Sequence, residues 1–171
     1  MLHPFKGLFP AIASSVYIAP GAQIIGDVSV GENSTVWFNA VLRGDLAPIR
    51  IGNRCNIQDG CIGHVNKDQP LIVEDDVSVG HGALIHGCRI GRGTLIGMGA
   101  IVLNGAEIGE YALVGAGSLV TEGTLLPAYT LSLGTPAKVV RELTPEDLDR
   151  MKRTTDNYVS KGREYRMEPG K

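Results

Sequence analysis

An aliphatic residue returns at every sixth position through most of this chain, and few folds tolerate that spacing. The series runs Ile18, Ile24, Val30, Val36 and Leu42, slips by three residues, and resumes at Ile51 and Ile57. Gly63 takes the next slot, and a four-residue insertion around Asn66–Pro70 leads to Val73, Val79 and Ile85. After one skipped residue come Ile90, Ile96, Val102, Ile108, Val114 and Val120, with Leu126 as a final slot. Glycine is common at the second place of the hexad (Gly31, Gly52, Gly91, Gly97, Gly109, Gly115) and small residues at the fifth (Ala22, Ser34, Ala83, Ala100, Ala106, Ala112, Ser118). A helix repeats at 3.6 residues and a half-buried strand at 2. A period of six held for about a hundred residues suits a solenoid with one short strand per hexad and a tight corner between strands. Three hexads close a triangular coil of roughly 18 residues, its inward aliphatics stacking on the next coil ~4.8 Å away. About six coils are expected on this count. Composition agrees: 23 of 171 residues are Gly and only 5% are aromatic, so the core is aliphatic and the chain turns often.

The pattern resembles the hexapeptide-repeat left-handed parallel β-helix. The left hand comes from that resemblance, because crossover handedness alone favours the right. An all-β solenoid is therefore expected over residues 1–143. The repeat fades at Pro127–Pro136, and Thr144-Pro145-Glu146 reads as a helix start with Thr144 as N-cap and Pro145 in the first position. Leu148, Met151, Thr155, Tyr158, Val159 and Tyr165 form one stripe at helical spacing, so a helix over 144–166 is expected to pack along the outside of its own solenoid or a neighbour's. Gly162 costs about 1 kcal/mol against Ala, which predicts fraying of the last turns and a flexible tail over 167–171.

Charge narrows the partners. Lys and Arg number 16 against 18 Asp and Glu, with no basic stripe for nucleic acid and no membrane-facing cationic cluster. No run of about 20 apolar residues exists to span a membrane. Prolines interrupt the N-terminal MLHPFKGLFPAIASS where a secretion signal needs a continuous apolar stretch. Cys55, Cys61 and Cys88, an odd number without CxxC spacing, read as small buried thiols of a reducing, cytoplasmic compartment.

Four histidines occur. His3 precedes the repeat, whereas His64, His81 and His86 fall within 23 residues. They are either three separate surface histidines or an open three-imidazole metal site. The repeat distinguishes their positions. His64 follows the slot at Gly63 and His86 the slot at Ile85, and their separation is one coil plus the inserted residues, so they belong to one outward column. His81 lies two places after Val79, on the preceding face, whose outward normal diverges by roughly 120° in a triangular section. If the three share an ion, His81 should serve one held by a neighbouring copy, and three coils side by side then suggest a homotrimer with sites between subunits. Arg43 falls in the column of His64 and His86, and Asp59 in that of His81, so the two would meet across the interface as an ion pair. A solvated arginine and a turn aspartate remain the plainer alternative.

The segments RGD (Arg43–Asp45), NIQDG (Asn56–Gly60), His64, GHGALIHGC (Gly80–Cys88), GTPAKVVREL (Gly134–Leu143) and NYVSKGREY (Asn157–Tyr165) resemble the γ-class carbonic anhydrases along nearly the whole chain. The resemblance implies Zn²⁺, or Fe²⁺ or Co²⁺, held by His64 and His86 of one subunit and His81 of the next. It implies reversible hydration of CO₂ to bicarbonate by a metal-bound hydroxide. Gln58 would then hydrogen-bond the metal-bound water or bicarbonate, Tyr158 would approach the same pocket, and Arg43 and Asp59 would pair between subunits with Asp45 and Asn56 in support. The chain departs from the archetype in three places. Leu46 stands where it has Glu, Ser160 where it has Asn, and the stretch Asn66–Pro70 is shorter, with Asp68 as its one acid that could relay protons. Two other functions stay open: a hexapeptide acyltransferase or acyl-CoA-processing protein, and a non-catalytic metal-binding or assembly protein.

Overall fold

A computed structural model describes residues 1–168 of the chain, which form a left-handed parallel β-helix of about seven turns and one C-terminal helix. Among the described residues, the first face stacks Ile62–His64, Leu84–His86, Ile101–Val102 and Leu119–Val120 on the start of the long strand Val41–Ile51. The end of that strand turns the corner and carries Leu71–Val73, Arg89–Ile90, Glu107–Ile108 and Leu125–Leu126 on the second face. The third face runs from Tyr17–Ile18 through Thr35–Val36, Asn56–Ile57, Ser78–Val79, Leu95–Ile96 and Leu113–Val114 to Thr130–Gly134, which Ala137–Glu142 closes in antiparallel fashion.

The hexad slots point inward. Leu42, Val79, Ile85, Ile90, Ile96, Val102, Val114 and Val120 are each 0% exposed. In the first-face column Ile24–Leu42–Gly63–Ile85–Val102–Val120, glycine interrupts the aliphatics for a steric reason. A Cβ on Gly63 would lie 2.6 Å from Leu42 Cδ2 and 3.1 Å from Leu71 Cδ2, so neighbouring leucines already fill that slot.

Seven turns replace the six expected. The extra coil is the N-terminal segment, where Leu2–His3 pairs with Ile24–Ile25 and Ala11–Ile12 with Ser29–Val30. Pro4, Pro10 and a turn closed by the Phe5–Leu8 bridge break its spacing. His3 consequently lies inside the repeat, at the foot of the column that rises through Ile25 and Arg43 to His64 and His86. It bonds Gln23 at 2.7 Å instead of joining the upper histidines.

The helix spans Pro145–Met167, and Thr144 and Asp147 close a capping box at its start. It lies against the third face through Met151, Thr155, Val159 and Gly162. Thr155 Oγ1 reaches Ser78 Oγ and the Asp76 carbonyl oxygen, both at 3.2 Å, and Arg54 ties Asp156 to the corner at 2.6 Å. Gly162 does not fray the helix, which continues to Met167. Its missing side chain is what lets the helix dock: a Cβ there would stand 2.4 Å from Thr35 Cγ2. The expected tail falls mostly outside the described residues, with Met167 still helical.

This gives a paired test by thermal unfolding. Gly162→Ala should lose about 1 kcal/mol net, because overpacking outweighs the gain in helix propensity. With Thr35→Ser, which removes the methyl but keeps the hydroxyl that accepts Trp37 Nε1–H at 2.9 Å, the same change should stabilise.

Candidate metal centre

His64 and His86 are cross-strand partners on the first face, with Arg43 next below them in the same column. Both rings point outward, their centroids 4.9 Å apart. His64 Nδ1 faces His86 Nε2 at 2.9 Å. The outer nitrogens are also engaged, His64 Nε2 with Asp45 Oδ1 at 3.0 Å and His86 Nδ1 with Asn104 Oδ1 at 2.6 Å. Three contacts therefore share the two protons of two neutral imidazoles. If the outer nitrogens carry those protons, as a carboxylate and an amide carbonyl require, two lone pairs face one another across 2.9 Å. A cation between them resolves the conflict. Two nitrogens on a tetrahedral zinc stand roughly 3.3 Å apart, a small adjustment from the observed spacing. Ring nitrogens that donate outward to oxygen and present lone pairs inward are the usual arrangement of metal-ligating histidine. The donor set thus fits a borderline divalent ion.

Asp45 is shaped for this duty. Burial pushes its carboxyl up, but hydrogen bonds from His64 and Arg43 outweigh that and hold it below the usual carboxylate range. It remains an anionic acceptor for the His64 N–H at neutral pH.

His81 lies elsewhere, at a corner of the third face. The turn Gly80-His81-Gly82 stacks directly on Gln58-Asp59-Gly60, with Gly82 N–H donating to the Asp59 carbonyl oxygen at 2.9 Å. Asp59 Oδ2 lies 2.7 Å from His81 Nδ1, so that nitrogen carries the proton and Nε2 keeps its lone pair as an acceptor. Tyr158 Oη stands 3.2 Å from Nε2. Burial, then the Asp59 charge, raises the Tyr158 phenol above its ordinary pKa, so it stays a donor. The His81 side chain is 45% exposed. Among the described residues, no three His, Cys, Asp or Glu side chains of one chain converge as a metal-holding group.

Gln58 is buried beside this corner, its Nε2 donating to Asn56 Oδ1 at 2.8 Å. Asn56 Nδ2 in turn donates to Ser78 Oγ at 2.7 Å, and Ser78 meets Thr155 of the helix. This buried polar chain orients Gln58, which lines a cavity of about 380 Å³ with His81, Met98, Leu113 and Tyr158. Within one chain, Arg43 and Asp59 do not meet: Arg43 pairs with Asp45, and Asp59 with His81. They occupy different faces, and each takes the nearest opposite partner its own chain offers.

The cysteines stand apart from this chemistry. All three are free and buried, and desolvation pushes their thiols up to about 12, 11 and 12 for Cys55, Cys61 and Cys88. The sequence reading missed Asn104, which holds His86 and itself donates to Glu122 Oε1 at 3.0 Å. The signal was available: both lie at whole-coil intervals of 18 from His86.

Comparison with known proteins gives the family. The family model "Bacterial transferase hexapeptide (six repeats)" matches residues 10–44 and 87–122. Gamma carbonic anhydrase 2 from mitochondria of Arabidopsis thaliana is 38% identical, over 95% of this chain and 60% of its own length. A carbonic anhydrase of Geobacillus kaustophilus is 52% identical over 97% of this chain and 91% of its own length. The chain belongs to the γ-class carbonic anhydrase-like family. A solved Bacillus cereus protein, provisionally named an acetyltransferase, superposes with a TM-score of 0.95 at 54% identity, covering 96% of this chain and 95% of its own. Close relatives of this γ-class-like chain therefore carry two kinds of name on one fold. No helix among the described residues is long and apolar enough to cross a membrane.

Proposed function

We propose that this protein hydrates CO₂ reversibly at a divalent metal shared between subunits of a homotrimer. The observation that carries the reading is the 2.9 Å approach of His64 Nδ1 to His86 Nε2 while both outer nitrogens meet side-chain oxygens, with His81 on another face and its Nε2 held only by Tyr158. His64 and His86 of one subunit would hold the ion with the partner's His81. Zn²⁺ suits three imidazoles, and Fe²⁺ or Co²⁺ fit the same donors. A bound divalent ion would supply the Lewis acidity that makes water a nucleophile near neutral pH.

The remaining roles belong to side chains. Asp45 and Asp59 fix the tautomers of His64 and His81. Tyr158 gives up its hydrogen bond to His81 Nε2 when that nitrogen turns to the ion, which frees a donor at the site. Gln58, held by Asn56, offers amide hydrogen bonding to the reacting oxygens. Arg43 of one subunit exchanges Asp45 for the partner's Asp59, setting the register of the interface more than its stability. Leu46, 54% exposed, gives no acid for proton export, which leaves Asp68 or external buffer to accept the proton. Buried, unpaired thiols fit a reducing cytoplasm.

Protein purified anaerobically should contain about one metal ion per chain and, under stopped flow, hydrate CO₂ in proportion to its metal and to buffer concentration. Metal-loaded protein, Fe²⁺ included, with no hydration above the buffer rate would remove this reading. The cavity of about 380 Å³, several times the size of CO₂ and with Leu95, Met98, Leu113 and Val114 on its apolar side, favours a second reading in which an acyl group is bound there. His86→Ala separates the two, since His86 does not line that cavity: acyl transfer without metal survives the change and hydration does not.

A further inference from the structure

We propose that Asn104 and Glu122 are positioning residues that hold His86 in the tautomer whose Nε2 can ligate; the consequence for metal rests on the reading above. His64 and His81 each touch a carboxylate directly, Asp45 and Asp59. His86 does not. Its Nδ1 meets the Asn104 side chain at 2.6 Å, and Asn104 reaches Glu122 at 3.0 Å.

An asparagine amide is ambiguous, since its carbonyl and amino ends nearly superpose and impose opposite demands on a neighbour. The carboxylate of Glu122 accepts and cannot donate, so it draws the Asn104 amino group toward itself. The Asn104 carbonyl must then face His86, and it accepts only from a protonated Nδ1. The lone pair of neutral His86 is thereby left on Nε2, facing His64. Were the amide reversed, its N–H would point at Nδ1 and the ring proton would move to Nε2, where it would block the ion. A surface carboxylate two coils away thus selects the ligating nitrogen.

The fold makes room for this relay. His86, Asn104 and Glu122 are spaced by 18 residues, one coil each, so they share one corner of the prism. Gly87 has a φ of +51°, and a Cβ on it would lie 2.6 Å from Asn104 Oδ1. The glycine after the histidine is the gap through which the amide reaches the ring.

The test reads the tautomer of His86 in metal-free, ¹⁵N-labelled protein by long-range ¹H–¹⁵N spectra above pH 8, and Zn²⁺ affinity by chelator competition. The unmutated chain should show the Nδ1–H form. Glu122→Gln should raise the Nε2–H population and weaken Zn²⁺ binding several-fold, and Asn104→Leu should weaken it roughly 10–100-fold. Asn104→Asp combined with Glu122→Gln should restore both readouts, because an aspartate accepts whichever way it turns. A merely structural role would move stability and leave the tautomer alone. An unchanged His86 spectrum in Glu122→Gln and Asn104→Leu would overturn the relay. If the unmutated chain binds no Zn²⁺, the metal reading fails, and the spectra still judge the relay.

Discussion

Mixed trimers assembled at random from equal amounts of a His64→Ala chain and a His81→Ala chain should bind about a quarter of the metal held by the unmutated protein, while either variant alone binds almost none. The fraction follows from the placement of the ligands. An interface is intact only if one chain supplies His64 and His86 and its neighbour supplies His81. The His81→Ala chain keeps the first set and the His64→Ala chain keeps the second. Each is in the right place with probability one half, and the product is one quarter. Metal analysis after co-refolding, with each variant refolded alone as control, gives the number directly. No recovery in the mixed sample would sink the shared site, because ligands confined to one chain cannot complement. Full metal in either variant alone would remove that histidine as a ligand.

His64 and His86 were legible as a column because a solenoid turns sequence spacing into position. Once the coil is 18 residues and the insertion four, a separation of 22 means one strand directly above another, and they are cross-strand partners. The same arithmetic placed Arg43 under His64 and Asp59 under His81. It covered Asn104 and Glu122 equally well, but polar residues at outward corners are the default of any solenoid surface. Their alignment carries meaning only once the hydrogen bonds are known. Tyr158 was less accessible. Its approach to His81 depends on how the helix docks, and that depth is set by Gly162 against Thr35, a fit that periodicity does not contain. The N-terminal coil escaped because Pro4, Pro10 and the Phe5–Leu8 turn break the hexad, although the backbone still pairs.

Glycine recurs in this repeat for two different reasons, and substituting two neighbours should separate them by roughly 5–10 °C in unfolding midpoint. Gly99 has a φ of +66° with nothing within 4 Å of a built Cβ. Its place in the turn is filled two coils lower by Gly60 and one coil below that by Asn39, at a φ of 58°. Gly99→Asn should therefore cost a few tenths of a kcal/mol, since asparagine tolerates the left-handed region. Gly97 has no such backbone demand, but a Cβ there would lie 2.4 Å from the Ala116 nitrogen and 2.6 Å from the Gly115 carbonyl carbon of the next coil. Those atoms are held by the ladder bond from Gly97 N–H to the Val114 carbonyl oxygen at 2.8 Å and cannot turn aside as a side chain would. Gly97→Ala must open the coil spacing or break that bond, at a cost of about 3 kcal/mol. Because Gly97 also lines the cavity beside His81 and Tyr158, the same opening should loosen the corner that presents His81. Thermal unfolding of both variants, with metal content measured on each, checks the argument. Equal midpoints would show that the coils yield more readily than their backbone contacts imply.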